Sequence, residues 1–216
     1  MRFTLPRIYP ILDSSYVPED GRAKFLTRLG LSMTDAGLQI LEYRNKSGTD
    51  ALVLADARLL RAAMPDATLI MDDRVDVTLA AGFDGVHVDA GDLPVADARR
   101  LLGLDSRPKT PVIGTSAGSE SQLAVALGSG ADYVAFGPVF PTNTKQTSAV
   151  PIGIEGVKRF RQIAGAAPVL VAAAGIRLET ASAILAAGAN ALAVSEAIFR
   201  RDDPAAEFRQ WTNALG

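Results

Sequence analysis

The chain has 216 residues, 48% of them apolar and 21% charged, with a formal net charge of −2. That length suits one α/β barrel domain over residues 1–216. The absence of cysteine excludes disulfides, thiolate catalysis and Cys-based metal centres, and a near-neutral chain without a basic stripe argues against nucleic-acid binding.

The opening MRFTLPRIYPILD lacks the apolar core of a secretory signal. No apolar run is long enough to span a bilayer, so a cytoplasmic protein without membrane contact is expected. The oligomeric state is left open, a homo-oligomer included.

Short apolar runs alternate with longer amphipathic stretches. In chain order the expected strands are Arg7–Asp13, Leu38–Arg44, Thr68–Asp72, Gly85–Asp89, Pro111–Thr115, Tyr133–Gly137, Val169–Ala173 and Ala191–Ser195. Nearly all lack polar alternation, the signature of parallel strands buried on both faces. Helices are expected between them, among others at Gly21–Ala36, Asp50–Met64, Val75–Ala81 and Thr180–Ala187.

A weak repeat strengthens the reading. AGLQILEYR, AGFDGVHVD, SGADYVAFG and AGANALAVS precede or enter the second, fourth, sixth and eighth strands. Glycine there suits the left-handed residue that ends a helix. A proline precedes or enters several odd strands, in IYPILD, PVIGTS and PVLVAAAG. A two-strand unit repeated four times predicts a single (β/α)8 TIM barrel, ahead of a doubly wound sheet.

In such a barrel the reactive groups lie where strands end. After the second strand, Glu42, Arg44 and Lys46 are spaced two apart and so share a face; they either point together into the barrel mouth or belong to a solvated loop. After the third and fourth strands come Asp72-Asp73 and Asp89-Ala90-Gly91-Asp92. Asp73 and Asp92, in adjacent loops, suit a shared Mg2+; either alone reads first as a helix cap, and it is the pairing that favours the metal. Thr115 and Ser116 after the fifth strand read first as caps. His87, inside the fourth strand, reads as a structural histidine.

The long segment GPVFPTNTKQTSAVPIG follows the sixth strand. Thr142, Thr144 and Lys145 bring two hydroxyls and an ammonium together, donors suited to phosphate oxygens; the alternative is a plain surface loop. After the seventh and eighth strands, Ala174-Gly175 and Val194-Ser195 stand where barrels of this kind bind phosphate through backbone N–H groups.

These motifs resemble the thiamin-phosphate synthase family over nearly the whole chain. The most specific are GPVFPTNTK at 137–145, DDRVDVTLAAGFDGVHV at 72–88 and Asp92-Leu93-Pro94. The resemblance implies a (β/α)8 barrel that joins hydroxymethylpyrimidine pyrophosphate to a thiazole phosphate and releases pyrophosphate with Mg2+, its partners being phosphorylated small molecules. It implies that Asp73 and Asp92 hold the metal and that Arg44, Lys46 and Lys145 bind pyrophosphate. It places Ser116 near the reacting groups, and Thr142, Thr144, Gly175, Val194 and Ser195 on the acceptor phosphate.

Four departures stand out. Glu42 replaces the usual Gln, Asp72 the usual Asn, Asp89-Ala90 a Gly-Gln pair and Ala174-Gly175 a Gly-Gly pair. The added acids fall on the pyrophosphate side, which keeps a non-catalytic phosphate-ligand binder in view. A thiazole tautomerase is disfavoured, because Ala117-Gly118 stand where that enzyme typically has a histidine.

Overall fold

Four helix-to-strand turns carry the chain into the even-numbered strands, and each contains a left-handed glycine: Gly37, Gly82, Gly130 and Gly188, with φ between 72° and 118°. A side chain at such a φ would be strained, which is why the repeat contains glycine at that place. In three of them the residue after the glycine donates to a carbonyl five residues back, Leu38 to Met33, Phe83 to Thr78 and Ala189 to Ile184. The helix therefore ends in a Schellman-type turn and releases the chain into a strand.

The computed structural model describes residues 4–103, 110–142 and 149–216. Eight parallel strands close in sequence order into a barrel: β1 (Ile8–Asp13), β2 (Ile40–Arg44), β3 (Thr68–Asp72), β4 (Gly85–Val88), β5 (Val112–Ala117), β6 (Tyr133–Phe136), β7 (Leu170–Ala173) and β8 (Ala191–Val194). Around them lie α1 (Arg22–Asp35), α2 (Asp50–Ala63), α3 (Val75–Ala81), α4 (Val95–Gly103), α5 (Glu120–Gly128), α6 (Gly153–Ala164), α7 (Leu178–Ala186), the short α8 (Glu196–Phe199) and α9 (Pro204–Leu215). The expected strands agree to within a few residues. Among the described residues, no helix is long and apolar enough to cross a membrane.

Side chains alternate across each strand. The inward set packs the barrel interior, including Tyr9, Ile40, Ile70, Tyr133, Ala135, Val171, Ala191 and Ala193. The outward set, with Leu12, Leu41, Tyr43, Leu69, Phe136, Leu170 and Leu192, meets the helices. Interior space is shared unequally: a Cβ on Gly114 would lie 2.0 Å from the Tyr133 ring. Gly114 is thus the gap that the Tyr133 ring fills.

The N-terminal end of the barrel is closed by a repeated polar lock. Asp84, Asp132 and Asn190 occupy the same place in AGFD, SGAD and AGAN, just before an even strand. Each side chain accepts an amide from the first or second residue of the preceding odd strand: Leu69 N at 2.9 Å, Ile113 N at 2.7 Å and Leu170 N at 2.8 Å. Each also receives an arginine from a neighbouring helix, Arg61 at 2.5 Å, Arg99 at 3.0 Å and Arg161 at 2.5 Å. Backbone amides that would otherwise lack a partner at the sheet's lower rim are so satisfied.

One expectation is corrected at the opposite end. β5 runs two residues further than predicted, through Ser116 to Ala117. Thr115 and Ser116 are therefore strand residues and not helix caps. The α5 cap is Ser119, whose hydroxyl accepts from Gln122 N. Thr115 faces outward and donates to Val88 O at 2.9 Å.

Candidate active site

The inward face of the strands becomes polar toward the C-terminal end. Glu42, Arg44, Asp72, His87, Asp89 and Ser116 all line a cavity of about 750 Å³ at the barrel mouth. Thr142, Gly175, Val194 and Ser195 line its other side. The shared face expected of Glu42 and Arg44 is what the cavity lining shows.

A chain of hydrogen bonds crosses the cavity floor. The Tyr9 hydroxyl donates to Glu42 Oε2 at 2.7 Å and lies 2.6 Å from the Tyr133 hydroxyl. The Tyr133 hydroxyl is 3.1 Å from His87 Nδ1, and His87 Nε2 is 2.8 Å from Ser116 Oγ. Burial pushes the Glu42 carboxyl above its usual range. Asp72 and Asp89 reinforce this against the opposing pull of His87 and the Tyr9 hydroxyl. Burial alone would lower the His87 pKa, but Asp89, 3.7 Å away, and the charge of Glu42 raise it. The two tyrosine hydroxyls are pushed well up, by burial first and then by Glu42.

Beside this floor lies a dense set of charges. Arg44 bonds to Asp13 and lies 3.6 Å from Asp72. Lys46 lies 3.0 Å from Asp72 and contacts Asp73. Asp72 is thus flanked by two cations, which offset its negative charge. Burial favours the neutral form of Asp13, but the Ser15 amide and hydroxyl and the Arg44 guanidinium more than reverse that and hold its carboxyl below the usual range.

Asp73 adopts a left-handed φ of 63°, a conformation uncommon for a residue other than glycine. Its amide donates to His87 O at 2.8 Å, bringing the third and fourth strand ends together. Asp92 Oδ2 accepts from Asp89 N at 2.7 Å, so Asp92 braces its own loop. One oxygen from each of Asp73, Asp89 and Asp92 falls within 4.8 Å of the others. Asp73 Oδ1 is buried without a hydrogen-bond partner among the described residues. A hard, oxygen-seeking cation fits such a donor set.

Across the mouth, Ala174 and Gly175 are consecutive left-handed residues, with φ of 71° and 68°. A Cβ on Gly175 would lie 2.6 Å from the carbonyl oxygens of Phe140 and Pro141. This close approach fixes the entry of the loop that carries Thr142. The Ser195 hydroxyl donates to Ile11 O at 2.6 Å, tying the end of β8 to β1. Thr144 and Lys145 lie outside the described residues.

Sequence reasoning missed Tyr9 and Tyr133, which resemble ordinary core aromatics, and Asp13. For His87 it favoured a buried structural place over a functional one. His87 is buried, yet its ring lines the cavity and bonds to Ser116. The available signal was period-two spacing: His87 is inward on β4 as Glu42 is on β2.

A closed parallel barrel with acids, bases and a left-handed turn gathered at its strand ends defines a (β/α)8-barrel enzyme. The chain belongs to the thiamine monophosphate synthase family, whose sequence profile it matches over residues 8–198. It is 35% identical over 191 residues to the thiamine-phosphate synthase of Koribacter versatilis, covering 88% of this chain and 87% of that protein. It is 39% identical over 179 residues to the thiamine-phosphate synthase of Chloroflexus aurantiacus, covering 81% and 78%. The solved thiamine phosphate pyrophosphorylase of Pyrococcus furiosus superposes with a TM-score of 0.79 at 28% identity, over 97% of each chain.

Proposed function

We propose that this barrel is a single-domain cytoplasmic thiamine-phosphate synthase that uses the two sides of its mouth for two anions. It joins hydroxymethylpyrimidine pyrophosphate to a thiazole phosphate and releases pyrophosphate. The observation that carries the reading is that Arg44 and Asp89 line one cavity with the left-handed Ala174-Gly175 turn, while Lys46 pairs with Asp73 of the Asp73–Asp89–Asp92 cluster beside it.

Arg44 and Lys46 would bind the pyrophosphate. Lys145 joins them on the strength of the family resemblance. Such cations favour departure of an anionic leaving group, because they are already aimed where charge accumulates. Asp73 and Asp92, with Asp89 beside them, would hold Mg2+, which supplies further charge neutralisation when bound. Glu42 and Asp72 lie on the same side and bound the space for the pyrimidine compound. Ser116, its hydroxyl set by His87, faces the reacting centre.

Thr142, Thr144, Gly175, Val194 and Ser195 would hold the acceptor phosphate and so aim the thiazole nitrogen. The chemistry is a dissociative displacement, which needs positioning and charge stabilisation more than a general base.

Purified protein incubated with both substrates and Mg2+ is expected to form thiamine phosphate and an equal amount of pyrophosphate. Folded protein that binds either substrate without turnover would make it a non-catalytic binder instead.

A further inference from the structure

Behind β2, on the face turned away from the cavity, lies a second polar cluster. Asp56 on α2 is 1% exposed. Arg22 on α1 grips it with three contacts: Nε to both carboxylate oxygens at 2.9 and 3.0 Å, and a terminal nitrogen to Oδ2 at 2.6 Å. Tyr43, outward-facing on β2 and fully buried, donates its hydroxyl to the same carboxylate. The Tyr43 hydroxyl in turn accepts from Asn45 Nδ2 at 3.1 Å. The other end of that carboxamide, Oδ1, accepts the backbone amides of Ser47 at 3.3 Å and Gly48 at 2.8 Å.

Asn45 lies between Arg44 and Lys46. Its side chain is drawn back toward the Tyr43–Asp56 cluster, whereas those of its two neighbours reach Asp13, Asp72 and Asp73 at the mouth. Gly48 leaves space for that carboxamide: a Cβ there would lie 2.7 Å from Asn45 Nδ2. Burying an Asp–Arg pair is costly unless its remaining groups are satisfied. Here the spare bonding capacity goes to Val17 O, 3.3 Å from Arg22, and to Tyr43, and through Tyr43 to one loop.

We propose that Asn45 and Tyr43 are positioning residues: anchored by the Arg22–Asp56 pair, they hold the loop after β2 so that Arg44 and Lys46 stay aimed at the leaving pyrophosphate. The inference rests on the assignment of Arg44 to the pyrophosphate site. It predicts an effect confined to one substrate, since the cluster touches neither the turn at Ala174-Gly175 nor the end of β8.

The test uses the full chain and three variants, Asn45→Ala, Tyr43→Phe and Arg44→Ala. Inorganic pyrophosphate with Mg2+ is titrated by calorimetry, and both substrates are followed in steady state. Asn45→Ala and Tyr43→Phe are expected to weaken pyrophosphate binding about tenfold, the scale of one lost hydrogen bond to a charge-bearing network. KM for the pyrimidine pyrophosphate should rise in step, with KM for the thiazole phosphate unchanged. A purely structural role would lower the melting temperature and leave that split absent. Asp56→Asn is a harsher variant that leaves Arg22 without its carboxylate partner, so the conclusion rests on the two milder ones.

Unchanged pyrophosphate binding in Asn45→Ala and Tyr43→Phe, alongside weakened binding in Arg44→Ala, overturns the positioning role. Equal loss toward both substrates overturns it too. Unchanged binding in Arg44→Ala overturns the pyrophosphate assignment itself, and the inference with it.

Discussion

The two ends of the barrel use the same kinds of residue in opposite ways. At the N-terminal end Asp84, Asp132 and Asn190 each meet a backbone amide and an arginine. At the C-terminal end Asp73 is left-handed and keeps a buried oxygen without a hydrogen bond among the described residues, and Ala174 is left-handed as well. Lys46 is shared between Asp72 and Asp73. Paired side chains and backbone amides make the lower end a fastening, although Arg61 Nε has no hydrogen bond among the described residues. Strained backbone and closely set charges make the upper end a place where something else is meant to bind.

The sharpest way to break this comparison is the pair Asp73→Asn and Asp92→Asn. Together they should lower kcat/KM about a hundredfold or more at fixed Mg2+, because transition-state charge stabilisation of this kind is worth that much. Mg2+ affinity by calorimetry should fall too, with the melting temperature little changed. A pair of variants with normal activity would remove the acidic cluster from the chemistry.

The mirror experiment is Asp132→Ala, at the other end. Denaturant unfolding should show a loss of about 1–3 kcal/mol, the cost of leaving a buried amide and an arginine without their acceptor, with both KM values unchanged. An altered KM would mean that the lower end is not merely a fastening.

The third prediction concerns pH. Glu42 has a folded pKa raised above 4.5 by burial first, so the native state holds its proton more tightly than the unfolded chain does. Stability is therefore lost as pH rises from the ordinary carboxyl range through the folded value. Glu42→Gln should flatten that part of the stability–pH profile, measured by thermal melts across the acid-to-neutral range. A slope unchanged from the parent would place the titration elsewhere.

The smallest effect is expected at Ala174→Gly. It relieves a left-handed residue, worth about 1–2 kcal/mol, but loosens the unfolded chain by about 0.4–1 kcal/mol. The net stabilisation should fall between about 0 and 1.6 kcal/mol. A large stabilisation would show that Ala174 carries more strain than its φ implies.

Much of the fold was legible because its signals are local. The glycines of the four turns follow from the geometry of a helix ending, and uninterrupted apolar strands follow from burial on both faces. Glu42 and Arg44 were placed by counting alone. What escaped depended on partners distant in the chain. Tyr9 and Tyr133 meet 124 residues apart, and His87 finds Ser116 29 residues away. Nothing adjacent to them announces a polar network. The Asx residues of AGFD, SGAD and AGAN were visible within the repeat, but their purpose appears only when the neighbouring strand supplies its amide. Lys145 and Thr144 lie outside the described residues, so their part in the site rests on the resemblance.

The three locks at the lower rim have a consequence for measurement along the barrel. Each one keys an odd strand to the even strand after it at a defined residue, so sliding either strand would unfasten a side chain and an arginine as well as shift the ladder. The pairs β3–β4, β5–β6 and β7–β8 are set to zero at the bottom like aligned rulers. Asp72, His87 and Ser116 then reach the mouth at fixed heights above that mark. The closed base acts as the datum from which the open end is built.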